Sequence, residues 1–302
     1  MEYFKISREE LGHGAKIPLK KLGDSGEVFY ELALEMLEQI KKNNAQGTRS
    51  VLICPVGPVG QYPIFVRLVN EGRVSLKNTW FINMDEYLSD DETWIDKGHK
   101  LSFRGFMDRE VYSRIEPDLV MPQSQRIFPD PQNVEAVPAL IKKLGGVDLA
   151  VGGIGINGHL AFNEAQDELT PEAFAALPTR VLSISRETRV ANAIGDLNGA
   201  IDAMPEKCVT IGMAEILGAA RIRIGVFRDW HRAVVRQAAC QRHHRGQDRR
   251  RKKHRRRGEE IRLRQPHPHR ASPGPRPQLR ERPGGRRRRL YLRDDRWKQP
   301  AL

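Results

Sequence analysis

Long apolar runs are missing from this chain of 302 residues: no stretch of about 18 consecutive apolar residues occurs, so no segment reads as a membrane-spanning helix. The opening residues, MEYFKISREELGHG, carry no apolar core of a secretory leader, and a cytoplasmic protein with no membrane association is expected. Cysteine is scarce, with Cys54, Cys208 and Cys240 far apart and no C-x-x-C spacing. That excludes a disulfide framework and a cysteine-based zinc site, so no metal is expected. Cys54 and Cys208 read as small buried hydrophobes.

Acidic residues are also unevenly placed. The formal net charge of +13 suggests a nucleic-acid binder, but residues 241–302 hold 23 Lys and Arg against 6 Asp and Glu, whereas residues 1–240 hold 28 against 32. The body is mildly acidic, and the tail alone makes the chain basic. From 241 to 295 the tail has no Val and no Phe, and it is dominated by Arg, Pro and Gly. A segment of that composition buries too little apolar surface to offset its ordering entropy, so 241–302 is expected to be disordered. Tyr291 and Trp297 are its only aromatics, too few for base stacking. Non-specific, salt-dependent binding to polyanions is the most that its charge predicts.

Residues 1–240 are patterned quite differently. SGEVFYELALEMLEQIKKN (Ser25–Asn43) opens with a capping-type Ser, has helical apolar spacing and ends in lysines. YPIFVRLVNEG, VEAVPALIKKLGG and MAEILGAA also read as helices. Between them lie short apolar runs: SVLIC (Ser50–Cys54), TWFINM (Thr79–Met84), VDLAVGG, RVLSIS (Arg180–Ser185), KCVTIG and RIRIGVF (Arg221–Phe227). Strands alternating with helices predict one α/β domain, a mostly parallel, Rossmann-like sheet flanked by helices. Ligands bind such sheets beyond the carboxyl ends of the strands, which directs attention to the loops after Cys54, Met84 and Gly152.

The last of these loops, GGIGINGHLAFNEA (Gly152–Ala165), contains a formal G-x-G-x-x-G. A dinucleotide turn needs a helix at the last glycine and an acidic residue ending the next strand. Here Gly158 runs into HLAFNEA, and RVLSIS ends without that acid. No cofactor is expected. Asn157, His159 and Glu164 instead fall within eight residues, and a histidine beside a carboxylate can shuttle a proton near neutral pH. NMDEYLSDD places Asp85 and Glu86 after a strand on the same expected rim. An aspartate there either moves a proton next to a carbonyl or merely caps a turn.

Taken together, FINMDEYL, GGIGINGHLAFNEA, SRETRVAN and the spacing between them resemble the glucosamine-6-phosphate deaminase (isomerase) family, over roughly residues 25–235. The wider superfamily includes 6-phosphogluconolactonases, but HLAFNEA is similar to the deaminase branch. The resemblance implies a small-molecule sugar phosphate as substrate, a homo-oligomer when the fold is complete, and amino-sugar breakdown without cofactor. It implies Asp85 as the base that moves a proton between C2 and C1, and His159 as the ring-opening histidine with Glu164 as its partner. It further implies that Arg189 grips the phosphate.

Three departures stand against that pattern. Asn157 occupies a place where the family has Asp, so it can accept a hydrogen bond from His159 but supplies no charge. The loop CPVGPVG (Cys54–Gly60) replaces a Thr-Gly-Gly-Thr-Pro type phosphate loop, leaving only the amides around Gly57 and Gly60 to face an anion. VFRDWHRAVVRQAA takes the place of the family's last phosphate-gripping helix, which implies His231 as a substrate-binding residue where a lysine is usual, and beyond it nothing resembles the family's final strand–helix unit. Residues 241–302 therefore read as a frameshifted or unrelated tail following an unfinished domain over 1–240. Two rival functions remain at this point: a catalytically impaired sugar-phosphate sensor, and a nucleic-acid binder acting through the tail.

Overall fold

The computed structural model describes residues 17–228 continuously, together with residues 5, 7, 9–12, 15 and 231–236 and the backbone of 287–293. In chain order the main elements are β1 (Leu19–Leu22), α1 (Ser25–Ala45), β2 (Ser50–Cys54), α2 (Gln61–Glu71), β3 (Thr79–Asn83) and β4 (Asp85–Leu88). There follow α3 (Phe103–Glu110), β5 (Arg126–Ile127), α4 (Ala136–Lys143), β6 (Leu149–Gly152), α5 (Pro171–Ala175), β7 (Arg180–Ser183) and α6 (Arg186–Asp196). The last are β8 (Lys207–Thr210), α7 (Met213–Gly218), β9 (Arg221–Val226) and β10 (Arg287–Arg293), with residues 231–236 helical between β9 and β10.

Seven strands form the main sheet, in the order β1-β10-β9-β6-β2-β3-β5, and all its pairs are parallel. This is the expected α/β class. Every residue of β2 is buried, because both faces of a parallel sheet are covered. Leu52, Phe81, Leu149 and Val151 face the core under α1 and α2. Val51, Ile53, Ile82, Ala150, Ile222 and Ile224 face the opposite core with Val137 and Ile216. Helix α1 begins one residue earlier than Ser25 suggests. Its cap is Asp24, which accepts from the Glu27 amide at 2.9 Å, while Glu27 accepts from the Gly23 amide at 2.6 Å.

Two features differ from the sequence reading. RVLSIS and KCVTIG leave the main sheet and form a separate antiparallel sheet, β4-β8-β7. Their apolar runs are as short as those of the parallel strands, and periodicity cannot assign a strand to a sheet. The second concerns the tail. Residues 287–293 were expected to stay outside the fold, yet they form β10, parallel to both β9 and β1. Composition argued against burial, but a slot between two strands is filled by backbone pairing, and RRRLYLR is a Pro-free segment with a β-prone Leu-Tyr-Leu centre. The rest of 241–302 lies outside the described residues, as does Cys240. Among the described residues, no helix is long and apolar enough to cross a membrane. Cys54 and Cys208 are both free thiols, buried as expected.

Candidate active site

Parallel register sets the site. Cys54 pairs with Asn83, and Gly152 with Ile224, so β2, β3, β6 and β9 end along one edge. A cavity of about 500 Å³ opens at that edge. It is lined by residues 56–60 after β2, Met84 and Asp85 after β3, Gly153–Gly155 and His159 after β6, and Phe227 and Arg228 after β9. The three loops singled out from the sequence thus meet at one place, as the switch-point rule requires.

Asp85 enters the cavity from the antiparallel sheet, where it is the cross-strand partner of Thr210. It is buried, and the Thr210 hydroxyl donates to its Oδ1. Burial raises its pKa to about 7, against the lowering pull of the Thr210 and Phe162 hydrogen bonds and with a further push from the Glu86 charge. Glu86 points the other way. Its carboxylate accepts from the Ser102 hydroxyl at 3.0 Å, the Phe103 amide at 3.0 Å, and the Arg104 amide and Nε at 2.9 and 3.1 Å. It fastens the start of α3, and the two adjacent acids therefore do separate work: one faces the cavity, the other the helix end.

His159 sits on the glycine loop. One Asn157 side-chain atom lies 3.3 Å from the His159 amide and 2.7 Å from its Nδ1. An amide N–H only donates, so that atom is the carboxamide oxygen and Nδ1 carries the proton, leaving Nε2 as an acceptor. Burial lowers the histidine's pKa, while Glu164, 3.8 Å from Nδ1, raises it in part. Glu164 stands behind His159 rather than in the cavity wall. Burial pushes its carboxyl up, but hydrogen bonds from Ser185 and Thr188 outweigh that and hold it below the usual value. The ring lies against Gly155, where an added Cβ would fall 2.0 Å from Nε2. Gly155→Ala is therefore expected to tilt the imidazole out of place and slow any step that uses Nε2 by about ten-fold or more. Turnover measured on the folded variant checks this.

The other expected residues divide. Gly57, Gly60 and His231 line the cavity. His231 is buried, its Nδ1 accepts from the Phe227 and Arg228 amides at 3.3 and 3.2 Å, and burial lowers its pKa to about 4. It is thus a neutral ring and not a substitute for a lysine. Arg189 departs from expectation: its guanidinium pairs with Glu206 at 2.7 Å and reaches the Met204 carbonyl at 3.4 Å, outside the cavity lining. Sequence reasoning missed Thr210, which only the β4–β8 register places beside Asp85, and Lys100 and Arg228, whose convergence requires the fold. Among the described residues, no group of three or more His, Cys, Asp or Glu is set to hold a metal.

No family model matches the chain. A glucosamine-6-phosphate deaminase of Clostridium perfringens is 32% identical over 200 residues, covering 64% of this chain and 74% of that protein. The chain belongs to the glucosamine-6-phosphate deaminase family. A deaminase of Parabacteroides distasonis is also 32% identical, over 183 residues that cover 58% of this chain and 62% of that one. Among solved structures, a monomeric glucosamine-6-phosphate deaminase superposes with a TM-score of 0.62 and 25% identity, covering 73% of this family member and 86% of its own chain. A 6-phosphogluconolactonase from Leishmania guyanensis shares the fold, with a TM-score of 0.51 and 14% identity. These relatives are enzymes of carbohydrate metabolism, and this member of the deaminase family shares the fold of the two solved structures.

Proposed function

We propose that this chain is a deaminating aldose–ketose isomerase converting glucosamine 6-phosphate and water to fructose 6-phosphate and ammonia. The observation that carries the reading is Asp85: a buried carboxyl, raised to about 7, lining the same cavity as a histidine with a free Nε2. A general base works best when its pKa lies near the working pH. In this scheme His159 Nε2 takes the proton of the sugar's O1 hydroxyl as the pyranose ring opens, and the proton is delivered to the ring oxygen. Asp85 then removes the C2 proton while the substrate's C2 ammonium gives a proton to O1, forming a neutral enolamine, and Asp85 returns its proton to C1. The resulting C2 iminium adds water, and ammonia leaves from C2. No step needs a cofactor. The domain that does this work is residues 1–240, with β10 inserted between β9 and β1.

Asn157 sets a limit in this scheme. A carboxylate at 157 would stabilise the imidazolium formed as His159 takes the O1 proton, whereas the carboxamide does not. Glu164 at 3.8 Å supplies part of that charge. Asn157→Asp is expected to raise turnover by about three- to ten-fold, chiefly on closed-ring substrate. Stopped assays of ammonia and fructose 6-phosphate on purified protein test the whole reading. Both products formed in equal amounts support it. Tight binding of glucosamine 6-phosphate with no turnover, unchanged in Asn157→Asp, would replace it with a sugar-phosphate sensor.

A further inference from the structure

The cavity draws its positive charge from residues outside the motifs that carry the family resemblance. Of the two side chains expected there to grip phosphate, Arg189 is paired with Glu206 away from the cavity, and His231 is a neutral ring. Among the described residues lining the cavity, the remaining bases are His159, Lys100 and Arg228. His159 is held below its ordinary pKa, which leaves Lys100 and Arg228 as the ammonium and guanidinium groups of the lining. They come from separate elements: Lys100 from the turn before α3, Arg228 from the loop after β9. Asp196, the last residue of α6, lines the cavity with them. Lys100 Nζ donates to the Asp196 main-chain carbonyl, a cation at the negative end of a helix. Partial desolvation raises the Asp196 carboxyl, and the charges of Lys100 and Arg228 pull it back only in part, so all three groups lie within electrostatic reach of one another. All three residues are exposed, which places the cluster at the cavity mouth.

A sugar phosphate brings close to two negative charges into this space. Neither the amides around Gly57 and Gly60 nor a neutral His231 can balance them. Resting on the deaminase reading above, we propose that Lys100 and Arg228 hold the substrate phosphate at the cavity mouth, and that Asp196 competes with that phosphate for the two cations. The carboxylate keeps the empty mouth near neutrality and yields its partners when a stronger anion arrives. Guanidinium and ammonium both bind phosphate, Arg228 through a fork and Lys100 as a point charge. The device favours a phosphate dianion over a bare sugar or a single carboxylate, because only the dianion outbids Asp196.

The test is calorimetric titration of the full chain with inorganic phosphate and with glucosamine 6-phosphate. Lys100→Gln and Arg228→Gln are each expected to weaken both ligands by about ten-fold, and Asp196→Asn to tighten both by about three-fold. Arg228→Lys keeps the charge and is expected to recover most of the loss. Because the three side chains are exposed, circular dichroism should report an unchanged fold. Arg189→Gln and Glu206→Gln, which break the same outer pair, should change affinity alike and by less than about two-fold. Phosphate affinity unchanged in both Lys100→Gln and Arg228→Gln, or abolished by Arg189→Gln alone, overturns the proposal. The two readings separate cleanly. Turnover with no phosphate effect at residues 100 and 228 removes the mouth site and keeps the enzyme. The expected affinity pattern with no turnover keeps the mouth site and removes the deaminase activity.

Discussion

Asp85→Asn is expected to abolish isomerisation, lowering kcat by about 10³-fold or more while leaving ligand affinity within a few-fold. The substitution keeps the shape of the side chain and its Thr210 neighbour but removes the base, so only transition-state stabilisation is lost. Two pH measurements sharpen the prediction. The active form is the carboxylate, so wild-type kcat should climb as pH rises through about 7, the raised value of Asp85. Stability should run the opposite way. The folded pKa lies above the unfolded one, so the folded state binds the extra proton, and this residue's contribution to stability declines as pH rises from about 4 to about 7. Asp85→Asn carries no such charge. Its melting temperature should match wild type near pH 4 and exceed it at pH 8, a gain in stability at the expense of activity. A variant that keeps full activity would remove Asp85 from the role of base.

The second large effect concerns the sheet. Truncation after residue 240 removes β10, which pairs with β9 from Arg287 to Leu292 and with β1 from Leu290 to Arg293. Two ladders are lost at once, and β1 loses its neighbour in the sheet. Truncation is expected to cost about 3 kcal/mol or more, lowering the melting temperature by at least about 6 °C and increasing the binding of hydrophobic dyes. Tyr291→Pro isolates the backbone contribution: it removes one N–H within the pairing, and a loss of about 1–3 kcal/mol is expected. Thermal unfolding of the full chain, the truncated chain and Tyr291→Pro decides the matter. Equal melting temperatures in all three would show that the tail adds nothing to the folded sheet.

The sequence made some of this legible and concealed the rest for definite reasons. SVLIC and VDLAVGG announce buried parallel strands because both faces of each are covered, and continuous apolar runs record that directly. The three loops of the cavity follow, since strands of a parallel sheet share a carboxyl edge. Local hydrogen bonding was legible too: Asn157 and His159 are two residues apart, and their contact needs no long-range information. What stayed hidden depends on register. Thr210 meets Asp85 across 125 residues of chain, and nothing in KCVTIG marks it as a partner. Arg189 shows the reverse failure: a motif match placed it at the phosphate, whereas an exposed Glu206 seventeen residues on takes its guanidinium. The tail misled through composition, which governs burial of side chains but says little about seven residues that pair through their main chain.

The position of β10 also has a consequence in time. A chain growing on the ribosome completes β9 at Val226 but does not begin β10 until Arg287. At roughly 5–20 residues per second, several seconds pass in which β9 presents an unpaired edge and β1 has no place to dock. During that interval any extended segment can occupy the slot, including the equivalent strand of a second nascent chain. Yield at expression should therefore depend on temperature and crowding more steeply than the stability of the finished protein does. A pool of slowly exchanging, strand-swapped dimers is the form in which that delay would be recorded.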